Sequence, residues 1–522
     1  MTGIHHVTLV TAHAQENFDF YSGFLGLRLV KQTAGFEDVL QLHLFYGDGT
    51  GAPGTLVTFL VWEDGARGRT GHGQATELAL AIPRDAIGFW LTRALTAGIA
   101  FTGPKTEFGE PVLRLTDPDG SAVKLVGTDA VGGAFWSGGG IPAEAAIRGI
   151  RGVQILSEQA AATEGFLERH LGYHVAGRED GLTRLVSALG DCLDLRDAAG
   201  FWPGVAGTGR IDHLAFRAAD GVAVDAGVAV LVAEGFDVTP RKHRGYFASA
   251  YVREPGGMLA ELATDGPGMG VDETAEALGT TVFVPDGDAQ RAADIRLMLP
   301  VVARAGEPRD ARAALPFVHR LWRAPDPDGT AVILLHGQGG AEADLMPLAH
   351  AMAPRADLLA LRGRSTEEGV LRWFRHDAAG GFDQKDIAAE AEAFAATLED
   401  AFAAYRLDPE RTALLGYSNG ANFAAAFLQL HPGVPRRAAL LRPMPVLADR
   451  PEAALAGTDC LVLVGSADPM AEGGRRLAED LAAAGATTEL VALVDAGHAL
   501  HPDDAAALRA WWVKALSTMP GA

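Results

Sequence analysis

The sequence predicts two folds in one chain: an α+β first half, made of four strand–helix–strands segments, and an α/β second half with a mostly parallel sheet. Three observations predict it. One order of elements, a strand, a helix and then several strands, recurs up to about residue 265. Within those repeats a turn of the form acid-Pro-x-Gly occurs twice, at Asp117-Pro118-Asp119-Gly120 and at Glu254-Pro255-Gly256-Gly257. From Phe317 onward, short apolar runs alternate with helical stretches.

The opening strands of the four segments read as Ile4–Val10, Thr76–Ile82, Gly152–Ser157 and Ile211–Arg217. The helices that follow read as Ala14–Phe24, Arg84–Ala97, Glu158–Leu171 and Asp220–Glu234. Most of them stop at a glycine before the next strand, as in Gly98-Ile99 and Gly172-Tyr173, where the chain needs a left-handed residue. The expected segment bounds are about 1–70, 71–140, 141–205 and 206–265, with a tail to 302. Residues 303–315 carry Arg304, Glu307, Arg309, Asp310 and Arg312 with little apolar periodicity and read as a linker. Residues 316–522 form the α/β half. Its strands are expected at Ala331–Leu335, Asp357–Leu361, Thr412–Leu415, Ala438–Leu441, Cys460–Val464 and Glu489–Val494.

Composition narrows the function. The 522 residues carry 66 acidic and 44 basic side chains, a formal net charge of −22. Nucleic-acid binding needs a basic surface, which this balance does not offer. No apolar run approaches the ~20 residues that span a bilayer. The chain starts with strand-like sequence and lacks the pattern of a secretion signal. The two cysteines, Cys192 and Cys460, sit in different halves within apolar runs and read as buried free thiols. The expectation is a cytoplasmic enzyme acting on small molecules, with no nucleic-acid or membrane partner.

The repeat allows positions to be compared within the chain. The opening-strand position carries His6, Glu77, Val153 and His213; the last-strand position carries Lys124 in the second segment and Glu261 in the fourth. Strand side chains alternate faces, so His213 shares a face with Ala215, and His6 shares one with Thr8. The bulky face (Val7, Leu9, Leu214, Phe216) should pack on a helix, and the other should line a cavity. Two imidazoles and a carboxylate, His6, His213 and Glu261, would then meet there. Such a set leaves open metal positions and suits Fe(II), with Mn(II) not separable by ligand type. His5 points the other way in a regular strand and reads as support for a ligand. His43 reads either as a pocket residue or as a strand residue facing a polar interior.

The second half carries Gly416-Tyr417-Ser418-Asn419-Gly420 after Ala413-Leu414-Leu415 and before the helical stretch Ala421–Leu430. That strand, sharp turn and helix context marks Ser418 as a nucleophile. Asp468 and His498 each follow a strand, in the order that completes an acid–base triad; His501 and Asp495 are the rivals. The backbone N–H groups of Asn419 and Gln338 are placed to form an oxyanion hole.

In the first half, the repeat resembles the vicinal oxygen chelate superfamily, built from βαβββ modules. More narrowly, Ile4-His5-His6-Val7-Thr8, His43-Leu44-Phe45-Tyr46-Gly47-Asp48, Pro53-Gly54-Thr55 and Arg244-Gly245-Tyr246-Phe247 through Glu261 resemble ring-cleaving dioxygenases that act on hydroquinones. So does the tail, with Val282-Phe283-Val284-Pro285 and Leu299-Pro300. The resemblance covers roughly residues 1–300. It implies metal ligation by His6, His213 and Glu261, dioxygen as co-substrate, pocket roles for Arg244 and Tyr251, supporting roles for His5 and Thr8, and proton transfer by Tyr251 or His5. From the residues alone, Arg244 reads equally as a surface ion-pair residue and Tyr251 as a core aromatic.

The second half is similar to carboxylesterase/phospholipase-type α/β-hydrolases in Leu334-Leu335-His336-Gly337 through Asp344-Leu345, Leu361-Arg362-Gly363-Arg364, Arg372-Trp373-Phe374, the Ser418 turn and Gly497-His498. Asn419 departs from the Gln common in that family. The two resemblances together imply a ring-cleaving dioxygenase fused to a serine esterase, with an aromatic and an ester or acyl compound as substrates. Two other readings of the first half remain open: a glyoxalase-like, non-redox metalloenzyme, and a module that binds aromatics without catalysis.

Overall fold

The computed structural model describes residues 1–130, 135–136, 139–433, 435–449 and 454–520. The chain divides into two compact units, Met1–Glu307 and Pro308–Ala522.

In the first unit, β1 (Ile4–Thr11), α1 (Ala14–Phe18), β2 (Arg28–Ala34), β3 (Leu42–Gly47) and β4 (Leu56–Val61) come first. Then follow β5 (Gln74–Ile82), α2 (Ile87–Ala97), β6 (Phe101–Glu107), β7 (Glu110–Thr116) and β8 (Ala122–Gly127). The same order returns as β9 (Gly149–Ser157), α3 (Ala160–Leu171), β10 (His174–Glu179), β11 (Leu182–Val186) and β12 (Cys192–Asp197). It returns again as β13 (Arg210–Ala218), α4 (Gly221–Ala233), β14 (Lys242–His243), β15 (Ala248–Arg253) and β16 (Leu259–Thr264). Local chemistry explains the helix limits. Gly98 and Gly172 adopt φ of 68° and 76° after α2 and α3, a conformation that costs glycine little. Asp220 caps α4 by accepting the N–H of Ala223 at 2.9 Å. The helix expected over Ala14–Phe24 is α-helical only to Phe18 and continues as π-helix over Asp19–Phe24.

Two sheets result, and they do not follow chain order. One has strand order β14-β15-β16-β13-β1-β4-β3-β2, extended by Val282–Phe283 (β17) beside β2; the other has β10-β11-β12-β9-β5-β8-β7-β6. The first and last repeats therefore share a sheet, joined by antiparallel β1 and β13 at its centre. Leu214 and Phe216 on one face of β13 are fully buried in the hydrophobic core. Each such side chain contributes about 1.5–3 kcal/mol, so a one-residue slip of β13 would cost both and fix the opposite face wrongly.

In the second unit, β18 (His319–Trp322), β19 (Ala331–Leu335), β20 (Asp357–Leu361), β23 (Thr412–Tyr417), β24 (Arg437–Leu441), β25 (Asp459–Gly465) and β26 (Thr487–Leu493) form a sheet in the order β18-β20-β19-β23-β24-β25-β26. Only β18 runs antiparallel to its neighbour. A short hairpin of β21 (Ser365–Glu367) and β22 (Val370–Arg372) stands apart from it. The central strands β19 and β24 are buried along their whole length, as a parallel sheet covered on both faces requires. The sequence reading lacked β18 and the hairpin, which are short and not apolar throughout. Among the described residues no helix is long and apolar enough to cross a membrane.

Candidate metal centre and candidate serine site

Two β-bulges shape the centre of the first sheet. Ile4 pairs with Phe216 and His6 with Ala215, so His5 is an extra residue in β1. Thr8 pairs with His213 and Leu9 with Ile211, so Asp212 is an extra residue in β13. Each bulged residue precedes a histidine and bonds to it. His5 Nδ1 lies 2.8 Å from His6 Nδ1, and Asp212 Oδ2 lies 2.7 Å from His213 Nδ1. The expectation that His5 faces away from His6 held for a regular strand; the bulge brings the two rings together instead.

The hydrogen bonds set the tautomers. His5 Nε2–H donates to the carbonyl of Thr264 at 3.1 Å, which leaves His5 Nδ1 to accept from His6 Nδ1–H. His6 then presents Nε2 as a lone pair. His213 donates Nδ1–H to Asp212 and likewise turns Nε2 inward. Both nitrogens face Glu261 Oε2, at 3.1 Å from His6 and 3.0 Å from His213. Ligand atoms of the three residues lie within 4.8 Å of one another, and all three residues are buried. While both Nε2 atoms are unprotonated, neither Glu261 carboxylate oxygen has a hydrogen-bond donor. A fully buried carboxylate in that state is costly, and a cation between the three side chains resolves it. The donor set and its polarity fit a divalent transition metal.

The electrostatics agree. Burial would raise the Glu261 carboxyl, but the two imidazoles overcome it and hold it well below the usual range. Burial would lower His213, but its bond to Asp212 and the facing Glu261 push it up to about 9. A metal would compete with that proton.

The other sequence-derived residues surround this centre. Tyr251 pairs with Glu261 across β15 and β16, and its ring meets the His213 ring edge-on at 5.4 Å. Burial and the Glu261 charge raise its phenol well above the usual range, so it keeps its proton. The Arg244 guanidinium lies 5.8 Å from the Tyr251 ring centre and also donates to exposed Glu37 at 2.9 Å. Thr8 and Thr58 share a hydrogen bond of 2.7 Å, and His43 Nε2 lies 3.2 Å from Thr58 Oγ1. Burial pushes His43 down to about 3, so the ring stays neutral. The sequence reading missed Asp212, since simple alternation puts it on the far face from His213. It also misplaced one equivalence: Arg151 is bulged out of β9, so Gly152, not Val153, matches His213.

In the second unit, β23 turns sharply into α5 (Asn419–Leu430) at Ser418, whose backbone has φ 51° and ψ −117°. Such strain is characteristic of a nucleophile turn. The flanking glycines are required for space: a Cβ on Gly420 would lie 2.2 Å from the carbonyl oxygen of Leu335, and one on Gly416 2.7 Å from Ala421 Cα. Ser418 Oγ lies 2.9 Å from His498 Nε2, and His498 Nδ1 lies 2.9 Å from Asp468 Oδ2. Asp468 is also held by the N–H of Met470 at 2.8 Å. His501 is engaged elsewhere, its Nδ1 accepting from the Asp503 N–H at 3.3 Å, and Asp495 N–H donates to Ser466. Asn419 is the first residue of α5, where a backbone N–H has no intrahelical acceptor. Its side chain accepts the N–H of Trp373 at 2.8 Å, and the Trp373 indole donates to the His336 carbonyl at 2.9 Å. Trp373 thus joins the Ser418 turn to the loop that carries Gln338, a role the sequence reading did not assign.

Residues 3–125 match the Glyoxalase/Bleomycin resistance protein/Dioxygenase superfamily. Over 286 residues the chain is 37% identical to a Bacillus subtilis (strain 168) protein named as ring-cleaving dioxygenase MhqO, covering 54% of this chain and 91% of that one. It is 32% identical over 297 residues to a chlorohydroquinone/hydroquinone 1,2-dioxygenase of Sphingobium indicum, covering 54% and 91%. Over 187 residues it is 33% identical to a Bacillus subtilis (strain 168) protein named as hydrolase MhqD, covering 35% and 93%.

Proposed function

This chain belongs, over its first half, to the ring-cleaving dioxygenases of the Glyoxalase/Bleomycin resistance protein/Dioxygenase superfamily, and from that premise we propose a bifunctional enzyme that joins an Fe(II)-dependent dioxygenase for hydroquinone-like aromatics to a serine carboxylesterase. The observation that carries the first activity is the convergence of His6 Nε2, His213 Nε2 and an unpartnered Glu261 carboxylate. Those residues would hold Fe(II), or Mn(II), and the bound ion would supply a centre where an aromatic ring and dioxygen exchange electrons. The protein's part is positioning and proton control. Tyr251 keeps a phenol proton beside His213 and is placed to donate it to a substrate oxygen. Arg244, next to Tyr251, is placed to hold an anionic oxygen. His5 fixes the His6 ring.

The second activity rests on the Ser418–His498–Asp468 chain of contacts. His498 Nε2 takes the Ser418 proton as the hydroxyl attacks an acyl carbon and returns it to the leaving group, while Asp468 holds the imidazole. The N–H groups of Asn419 and Gln338 would stabilise the oxyanion. In this reading residues 1–302 form the dioxygenase, 303–315 the connector and 316–522 the esterase. A cytoplasmic location is supported by the unpaired, buried thiols Cys192 and Cys460.

Oxygen uptake with a panel of hydroquinones and added Fe(II), compared with His213→Ala, tests the first activity. Full activity in the variant overturns the ligand assignment. Substrate turnover without oxygen uptake would instead mark a glyoxalase-like, non-redox metalloenzyme, and binding without turnover a binding module.

A further inference from the structure

His498 sits in the loop between β26 and α6 (Asp504–Leu516), outside any strand or helix. A loop histidine has no ladder to hold it, yet catalysis requires placement to a fraction of an ångström. Three successive carbonyls of this loop are held from outside it. Arg442 Nε–H donates to the Gly497 carbonyl at 3.1 Å, and Arg442 Nη2–H donates to the Ala499 carbonyl at 3.3 Å. Between them, the Tyr417 hydroxyl donates to the His498 carbonyl at 3.1 Å.

The guanidinium is itself anchored. Arg442 Nη1–H and Nη2–H donate to Asp504 Oδ1 and Oδ2 at 2.8 and 3.2 Å, and both side chains are 0% exposed. Asp504 Oδ2 also accepts the His501 N–H at 2.7 Å, which fixes the end of the same loop. Arg442 follows β24 with φ 52°, and its own N–H donates to the Leu463 carbonyl at 2.8 Å. A non-glycine residue in that conformation carries a local cost. Tyr417 directly precedes the nucleophile. One dipeptide therefore touches His498 twice, through Tyr417 to its carbonyl and through Ser418 to its Nε2.

We propose that Arg442 and Tyr417, with Asp504 as anchor, are positioning residues that hold His498 in line with Ser418. The proposal rests on the reading of Ser418, His498 and Asp468 as a triad. A planar fork is needed, because one group must reach a carboxylate and two carbonyls at once; an ammonium offers no such fixed geometry. A buried ion pair alone is weak evidence of a stabilising role. The two carbonyl contacts on either side of the histidine are what point to function.

Hydrolysis of p-nitrophenyl acetate by the full chain tests this, with Ser418→Ala as reference. Retained hydrolysis in Ser418→Ala overturns the triad reading, and this proposal with it. When Ser418→Ala is inactive, Tyr417→Phe and Arg442→Lys decide. Loss of alignment is expected to lower kcat about 10-fold in Tyr417→Phe and about 100-fold in Arg442→Lys, with KM nearly unchanged. The rate at which a fluorophosphonate labels Ser418 should fall in parallel, because that reaction also needs an aligned His498. A lower thermal midpoint with unchanged kcat and labelling would make the Arg442–Asp504 pair purely structural and overturn the proposal. If Arg442→Lys does not fold, Tyr417→Phe alone settles it: this substitution removes one hydrogen bond and keeps the ring, so native kcat and labelling there overturn the proposal.

Discussion

Lys124 holds, in the second sheet of the first unit, the place that Glu261 holds in the first sheet. Ala79 pairs with Lys124 and Ala215 with Glu261 in matching parallel ladders, and Glu77 and His213 stand two residues earlier in each partner strand. The Lys124 ammonium is buried 3.0 Å from Glu77, 3.3 Å from Glu107 and 3.4 Å from Asp194. Where one sheet gathers lone pairs for an added cation, the other supplies a cation of its own. Burial would lower the lysine, but Glu77 and Asp194 overcome it and keep it charged. The first unit should therefore bind a single metal, and Lys124→Met should destabilise it by about 3–5 kcal/mol, because buried carboxylates lose a partner. Urea unfolding measures this; native stability in the variant would show that Arg114, which also pairs with Glu77 and Glu107, and Arg184, which pairs with Asp194, suffice for those carboxylates.

Asp212 should tune the metal without binding it. Its bond to His213 Nδ1 is 2.7 Å, and partners of this kind orient a ligand ring and raise its basicity. Asp212→Ala is expected to weaken metal affinity by about 10- to 100-fold, read by competition with a chelator. Unchanged affinity would leave the bulged aspartate with no part in the site.

Much of both sites was legible because the sequence repeats its own punctuation. The acid-Pro-x-Gly turns align Lys124 with Glu261, and that offset leads from His213 to its carboxylate partner. Glycines on each side of Ser418 announce a turn that tolerates no larger residue, as the 2.2 Å approach at Gly420 shows. What stayed hidden depends on single-residue bulges and on carbonyls. Alternation along a strand predicts faces only where the ladder is regular, and it fails at His5, Asp212 and Arg151, each an extra residue. Arg442 was invisible for another reason: its partners include the backbone of residues 497 and 499, which no side-chain pattern encodes. Pairing of the first repeat with the last is also a tertiary choice that local propensity does not specify.

The first unit should lose stability as weakly acidic solutions are neutralised, through Asp117. Burial pushes this carboxyl up to about 6 from 3.8, against the hydrogen bonds it accepts from the Ser121 N–H and the Tyr21 hydroxyl. A carboxyl that ionises less readily in the folded chain favours folding while protonated. Its contribution is complete below the unfolded value and is lost as pH rises through about 6. The change is on the order of 3 kcal/mol. Asp117→Asn should remove this slope, so the stability difference between variant and native chain should shift in the variant's favour from pH ~4 to ~7. Parallel pH profiles of urea unfolding for the two proteins would contradict the assignment.

The two activities should be separable by single substitutions, because their chemical groups lie in different compact units. Ser418→Ala or His498→Ala should lower ester hydrolysis by ~10⁴–10⁶-fold, the cost typical of losing one member of a serine triad. Oxygen uptake with hydroquinones should be unchanged in both. Conversely, His213→Ala should abolish oxygen uptake and leave ester hydrolysis intact. His501→Ala serves as the local control. That ring is tied to Asp503 and lies outside the Ser418–His498–Asp468 chain, so its loss should leave the hydrolysis rate close to native. If His501→Ala were as damaging as His498→Ala, the loop would have to be held differently in solution, with the base reassigned. Product analysis by mass spectrometry, using a hydroquinone that also carries an acetyl ester, reads both reactions in one mixture. Native enzyme should yield the ring-opened, deacetylated compound, and each single variant should stop at one of the two changes.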